Sequence, residues 1–345
     1  MIDHSPAETA SAIPVSDRRQ RYDFREHIGS GGMADVYRAR DTELGRDVAV
    51  KVFRTDDDTV ADLQRREREI RMLSQLNHPG LVGLHDAGTL LHEGNPRRYV
   101  VMEYVEGRSL AHRIARGPLK PRQVADLGAQ MADALSYVHG RSIVHRDVKP
   151  ENILIAEVPT LGYTLMAKLA DFGVAQFIDG SRLTSNGVIM GTAAYISPEQ
   201  ARGEEVGTPS DIYSLGLVLL EALRGEREYA GSAIEAALAR LHRPPSIPEE
   251  LSDEWKILLE AMTASDPAER PTAHDVAATL RDIIRSMIMT GRGKHEVTRR
   301  RAPRAAASRR VGSRAGSATV ASALAGGALV AVSLVVGTAV GVIPF

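Results

Sequence analysis

The sequence contains no cysteine. That excludes disulfides, cysteine-ligated zinc and thiol nucleophiles, and it suits a reducing cytoplasm. The first twenty residues, MIDHSPAETASAIPVSDRRQ, have almost no apolar run, and this small, polar stretch reads as a lead rather than a secretory signal. Residues 1–21 therefore read as a disordered lead. No repeat with a period of about 20–50 residues recurs along the chain. Net charge is almost absent, −1 over 345 residues, but that balance hides a division. Residues 292–314 hold nine Lys/Arg against the single acid Glu296, and no charge follows, which leaves about −9 on residues 1–291. What is present is an acidic body, long enough and, at 43% hydrophobic residues, apolar enough to build a core, followed by a basic collar. No nucleic-acid partner is implied.

Structure is expected to begin near Tyr22. A strand, a glycine turn and the strand DVYRARD lead to RDVAVKVF, a third strand with β-branched alternation. Helical spacing takes over in ADLQRREREIRMLSQLNHP, where Ile70, Leu73 and Leu76 share a face and the Asn-His-Pro end stops the helix. LVGLHDAG and RRYVVMEYV read as two further strands. Beyond Gly107 the pattern turns helical, with PRQVADLGAQMADALSYVHG and SDIYSLGLVLLEALRG as the longest periodic runs. The class is α+β in two lobes, a small β-rich one with one main helix and a larger helical one, meeting near residues 102–107. The last 31 residues, 315–345, carry no charge, and Val, Leu and Ile dominate from Val320 onward. That exceeds the roughly 20 residues a bilayer core requires, and the basic collar lies where a cytoplasmic flank would. Residues 318–345 are thus expected to form a single-pass transmembrane helix, 288–317 a basic juxtamembrane linker, and 22–287 a cytoplasmic domain held at the cell membrane. An Ala/Gly-rich tail or a buried helix is the plainer alternative.

IGSGGMADVY, residues 28–37, places Gly29 and Gly31 on the first two positions of G-x-G-x-x-G and Ala34 on the third. Alone, this fits a phosphate-binding loop or an ordinary turn. IVHRDVKPENIL, residues 143–154, followed by LADFG, residues 169–173, changes the odds. His-Arg-Asp, then Lys two and Asn five residues after the Asp, then Asp-Phe-Gly, is a highly specific order. With it the chain resembles the eukaryotic-type (Hanks-type) protein kinase family from about residue 22 to 285.

The resemblance implies a two-lobed kinase fold that uses ATP and Mg²⁺. Asp147 would orient or accept the proton of a substrate hydroxyl, Lys149 would meet the γ-phosphate, and Asn152 and Asp171 would supply hard oxygen ligands to Mg²⁺. Lys51 of VAVK would reach the α- and β-phosphates. Its acidic partner is Glu67 or Glu69, and the spacing back from LNHP in similar kinases selects Glu69. Unlike a dinucleotide-binding loop, which opens into a helix, the glycine stretch here turns between strands. Ile28, Gly29, Ser30, Gly31, Gly32, Met33 and Ala34 would fold over ATP as a flap, Ala34 adding only a methyl. Val36 and Ala49 would roof the adenine and Leu154 would floor it. Met102 would lie beside the back pocket, with the Glu103 carbonyl and Val105 backbone as hinge contacts. His145 would brace the loop, Glu199 and Arg270 would form an ion pair in the helical lobe, and Asp211 would cap the catalytic-loop backbone.

Lys149 two residues after Asp147, together with Thr192 in GTAAYISPE, resembles serine/threonine rather than tyrosine kinases, so the implied partners are proteins with Ser/Thr acceptors. Thr184, or else Ser185 or Ser181, fits an autophosphorylation site whose phosphate would pair with Arg146. Ser197 replaces the Ala of Ala-Pro-Glu, and the stretch between Asn152 and Asp171 is about six residues longer than usual. In layout the chain resembles bacterial receptor-like Ser/Thr kinases, without the extracellular sensor that normally follows the span. Gly337 and Gly341 form a G-x-x-x-G that permits helix pairing in a homodimer, or serve as filler. The collar would attract anionic lipid. Two other readings are a membrane-anchored pseudokinase or nucleotide-binding scaffold, against which Lys51, Asp147 and Asp171 all stand, and a small-molecule kinase of related fold.

Overall fold

Strand β3 (Arg46–Phe53) is buried without interruption from Val48 to Phe53, because it lies at the centre of its sheet. The computed structural model describes residues 21–31, 34–54, 73–92, 95–156, 165–171 and 193–299. Around β3 run β1 (Tyr22–Ser30), β2 (Ala34–Asp41), β4 (Leu84–His92) and β5 (Asn95–Glu103), giving the antiparallel order β1-β2-β3-β5-β4. Directly paired residues share a face, so Val36 opposite Lys51 and Ala49 opposite Met102 turn one side of the sheet toward a common cleft. On the other side Tyr37, Ala39, Val48, Val50 and Val101 form a buried cluster. The strand expected over LVGLHDAG begins only at Leu84. Its first two residues instead serve another sheet: Leu81 bridges Leu169, and Val82 N donates to Leu169 O at 2.9 Å.

That second sheet has the order β6-β7-β8, from β6 (Arg108–Ser109), β7 (Ile153–Ala156) and β8 (Met166–Leu169). Gly107, just before β6, is required by close approach, since a Cβ there would stand 2.1 Å from the Ile155 carbonyl oxygen. Helix α1 (Leu110–Ile114) is followed by α2 (Pro121–His139), which starts with proline in its first turn and buries Val124, Leu127, Met131, Leu135 and Val138 at helical spacing. Further on come α3 (Pro198–Arg202), α4 (Thr208–Arg224), α5 (Ala233–His242), α6 (Asp253–Met262) and α7 (Ala273–Arg299). Helix α4 is buried all round from Ser210 to Ala222, as expected of the central helix of a lobe. The core gathers on α2 and α4, with Trp255 of α6 and Leu280 of α7 packed into it.

Helix α7 runs on to Arg299, into the stretch read as linker from residue 288. Its two glycines, Gly291 and Gly293, each cost only about 1 kcal/mol in a helix, and no proline falls between Ala273 and Arg299. Among the described residues no helix is long and apolar enough to cross a membrane. Residues 318–345, and the collar beyond Arg299, lie outside them.

Candidate active site

The catalytic loop follows α2. Two of its neighbouring backbones adopt conformations that side-chain-bearing residues avoid: φ is 66° at Arg146 and 58° at Asp171. Such strain needs a frame. Asp211, buried in the first turn of α4, accepts from His145 N at 2.8 Å and Arg146 N at 2.7 Å, and lies 2.8 Å from His139 Nε2. His145 is fully buried. Its Nε2–H donates to the Ala170 carbonyl at 3.1 Å and its Nδ1 accepts from Asp147 N at 3.3 Å. Burial pushes its pKa down, so the ring is a neutral brace between the loop and the residue before Asp171.

The bracing brings the chemistry-bearing groups together. Lys149 Nζ stands 2.8 Å from Asp147 Oδ2, and Asn152 Nδ2 donates to the same oxygen at 2.9 Å and to Asp147 O at 2.8 Å. Asn152 ends the short 3-10 turn Pro150–Asn152, and its backbone carbonyl accepts from Ala170 N at 2.8 Å. Asp171 therefore follows immediately on the residue tied to Asn152. Across the cleft Lys51, only 9% exposed, requires an acid, and its Nζ meets Asp171 Oδ1 at 2.7 Å. Beside this pair an apolar recess is lined by Val82, Leu84, Val100 and Met102.

Glu103 closes the sheet side of the hinge. Its amide donates to Gly83 O at 2.8 Å, while its carboxylate takes Lys168 Nζ of β8 at 2.9 Å, joining the two lobes three residues before Asp171. Behind the loop, Glu199 and Arg270 form a buried two-pronged ion pair at 2.7 and 2.8 Å, with Ser210 Oγ also donating to Glu199. Burial pushes the Glu199 carboxyl up, but the hydrogen bonds from Arg270 and Ser210 outweigh it and hold it at about 2. Ser197, the departure from Ala-Pro-Glu, caps α3: its Oγ accepts from Gln200 N at 3.3 Å, while its own N donates to Gln200 Oε1 at 2.9 Å. Gln200 then passes its Nε2–H to the Arg146 carbonyl at 3.3 Å.

The sequence-derived residues fall as follows. Asp147, Lys149, Asn152, Asp171 and Lys51 belong to one array. Val36, Ala49 and Met102 lie on the cleft face of the sheet, Val105 is half-buried in the connection, and Leu154 is on β7. Ile28, Gly29, Ser30, Gly31 and Ala34 make the flap, with Ile28 exposed and Gly31 N bonded to Ala34 O at 2.9 Å. Gly32, Met33, Glu67, Glu69, Phe172, Thr184 and Thr192 lie outside the described residues. Sequence reasoning passed over Gln200, Lys168 and the Glu103 carboxylate. Gln200 carries a readable signal, the S-x-x-Q of a capping box, whereas the Lys168–Glu103 pair depends on packing between lobes.

These residues fit a nucleoside triphosphate. A Cβ on Gly29 would meet only Val36 Cβ at 3.9 Å, and one on Gly31 only Ala34 O at 3.7 Å, so the chain's own packing does not demand glycine at either position. What glycine provides there is room for a ligand against bare backbone. Asn152 and Asp171 offer one amide and one carboxylate oxygen, hard donors suited to Mg²⁺ that shares its shell with phosphate and water. Among the described residues no three His, Asp or Glu side chains cluster to hold a metal by themselves.

A glycine flap, a buried lysine over a carboxylate, and a second carboxylate bonded to Lys and Asn are the kind of parts that phosphoryl transfer from a nucleotide calls for. The protein kinase domain model matches residues 22–280. PknB of Mycobacterium leprae, named a serine/threonine-protein kinase, is 39% identical over 271 residues, which cover 77% of this chain and 43% of that protein. PknA of Mycobacterium tuberculosis, also named a serine/threonine-protein kinase, is 40% identical over 268 residues, covering 75% and 61%. The chain belongs to the protein kinase family. The match takes in about two fifths to three fifths of the length of these curated relatives.

Proposed function

We propose that the chain is an active serine/threonine protein kinase that transfers the γ-phosphate of ATP, with Mg²⁺, to hydroxyls of protein substrates. One observation carries this reading. An unbroken run of bonds links Lys51 to Asp171, Ala170 to Asn152, Asn152 to Asp147 and Asp147 to Lys149, so the described candidates for proton transfer, phosphate contact and metal ligation lie on one array. Asp147, positioned by Asn152, orients the acceptor hydroxyl and takes its proton. Lys149 offsets the charge that develops beside it. Asn152 and Asp171 would hold Mg²⁺, which would supply charge neutralisation to the phosphoryl group, and Lys51, now paired with Asp171, would serve phosphate oxygens. Lys149 and the names of the relatives favour Ser/Thr acceptors.

The test is incubation of the full chain with labelled ATP, Mg²⁺ and a generic basic protein substrate, followed by phosphoamino-acid analysis. Phosphoserine or phosphothreonine is expected, falling by about 10²–10⁴-fold in Asp147→Asn and disappearing in Lys51→Met. Equal label in wild type and both variants would defeat the proposal. Autophosphorylation at Thr184, a receptor-like layout, a single membrane span over residues 318–345 and dimerisation through Gly337 and Gly341 belong to the same proposal and rest on sequence alone. Membrane fractionation of the full chain beside a chain ending at Arg299 checks the tether: only the former should sediment with membranes.

A further inference from the structure

The outer face of the glycine flap carries a charged cluster that the catalytic array does not use. Asp35 follows Ala34 at the start of β2 and is 8% exposed. Its carboxylate accepts from Arg54 Nε at 2.9 Å, Arg54 Nη2 at 2.6 Å and Ser30 Oγ at 2.5 Å, and lies 3.4 Å from His27 Nε2. Arg54 Nη2 also donates to Ser30 Oγ at 2.8 Å. Three strand ends meet here: Ser30 closes β1, Asp35 opens β2 opposite Ser30, and Arg54 follows β3. Alternation puts Asp35 on the face of Tyr37 and Ala39, whereas Ala34 and Val36 point to the cleft. The carboxylate is thus behind the flap, with the turn at Gly31 between it and the space left open by the glycines.

We infer that Asp35, Arg54 and Ser30 form a clamp that holds the glycine flap in its nucleotide-receiving position and so sets affinity for ATP. Asp35 and Arg54 act as positioning residues, from behind the flap. The physical basis is ordering: a flap tied at both strand ends before the ligand arrives loses less freedom when backbone N–H groups close on phosphate. A two-pronged Arg–carboxylate bond is strong and directional enough to do this, and burial of Asp35 shields it from screening. Arg54 also holds the Asp35 carboxyl well below the usual carboxylate range, so the clamp stays charged at any pH the protein would meet.

The inference rests on the nucleotide site proposed above, and binding separates the two. Full-length wild type, Arg54→Met, Asp35→Asn, Arg54→Lys and Ser30→Ala are titrated with the fluorescent analogue mant-ATP and Mg²⁺, and amide hydrogen exchange is followed at residues 29–34. Arg54→Met and Asp35→Asn should each weaken mant-ATP by about five- to ten-fold and speed exchange in the flap, with little effect on kcat. Arg54→Lys should recover part of the loss, because it keeps the charge and forfeits the fork. Ser30→Ala, which removes one exposed hydroxyl and leaves the fold intact, should lose about two-fold. Unchanged affinity and exchange in Arg54→Met and Asp35→Asn would overturn the clamp. So would opposite signs, Asp35→Asn tightening and Arg54→Met weakening, because Arg54 would then be a direct phosphate ligand restrained by Asp35. A wild type that binds mant-ATP and transfers no phosphate defeats the kinase proposal and leaves the clamp to be judged by these same titrations. A wild type that binds no nucleotide defeats both.

Discussion

The two halves of the site are held in different ways. In the helical lobe, Asp147, Lys149 and Asn152 stand on backbone fixed by buried groups: Asp211 on two amides, His145 on Ala170, and Glu199 with Arg270 behind them. In the β lobe, the flap meets the cleft through an exposed Ile28 and bare glycine backbone, and its ties are the packing of Ala34 with Phe53 and Val100 and the Asp35–Arg54 ion pair. The difference separates two tasks. Transfer needs atoms placed to within a fraction of an ångström, which favours a buried frame. Admitting and releasing nucleotide needs a cover that opens, which favours a small number of adjustable contacts.

The strongest way to break the comparison is to cut the buried frame. Arg270→Ala strands the Glu199 carboxylate, and loss of one partner of a buried ion pair costs about 3–5 kcal/mol. Thermal and urea unfolding should show this loss, and a change below about 1 kcal/mol would mean that the pair does not hold the lobe. The same pair sets a pH dependence. Glu199 is held at about 2, below its ordinary value of 4.5, so its contribution is fully present above about pH 4.5 and is lost as pH falls toward 2. The shift corresponds to about 3 kcal/mol. Urea unfolding between pH 6 and pH 3 should show about 2 kcal/mol of this loss in wild type and much less of it in Glu199→Gln.

The smallest effect lies in the flap. Ala34, at the third glycine position, is 4% exposed and packs with Phe53 and Val100, so its methyl anchors the flap's base rather than merely being tolerated. Ala34→Gly should cost about 1 kcal/mol of stability, read as a small drop in melting temperature, with kcat unchanged.

That Asp147, Lys149, Asn152, Asp171 and Lys51 come together was legible because spacing along the chain is itself the signal: His-Arg-Asp, Lys149, Asn152 and Asp171 fall within a short stretch, and Lys51 sits in a strand with clear alternation. The two lobes and the long helices α2 and α4 followed from periodicity. What escaped depends on partners distant in sequence. Leu81 to Gly83 look like the start of a strand, yet their backbone bonds go to Leu169 and Glu103. Arg54 and Asp35 are unremarkable charges until β2 pairs with β3 in a register that sets Asp35 opposite Val52 and brings Arg54 alongside. Ser197 was read as a small departure from a pattern, and only the fold shows it capping α3, whose Gln200 reaches the catalytic loop. The extent of α7 was missed because basic composition suggested a linker where helix propensity still sufficed.

The most direct test measures kcat and the KM for ATP in Asp211→Asn and Arg54→Met side by side. Asp211 holds backbone and touches no ligand, so its variant should misplace Asp147 and lower kcat by about 10²-fold while KM for ATP stays within about two-fold. Arg54→Met should do the reverse, raising KM with kcat nearly unchanged. If both variants moved the same parameter by similar factors, the division between a fixed transfer frame and an adjustable nucleotide cover would be contradicted.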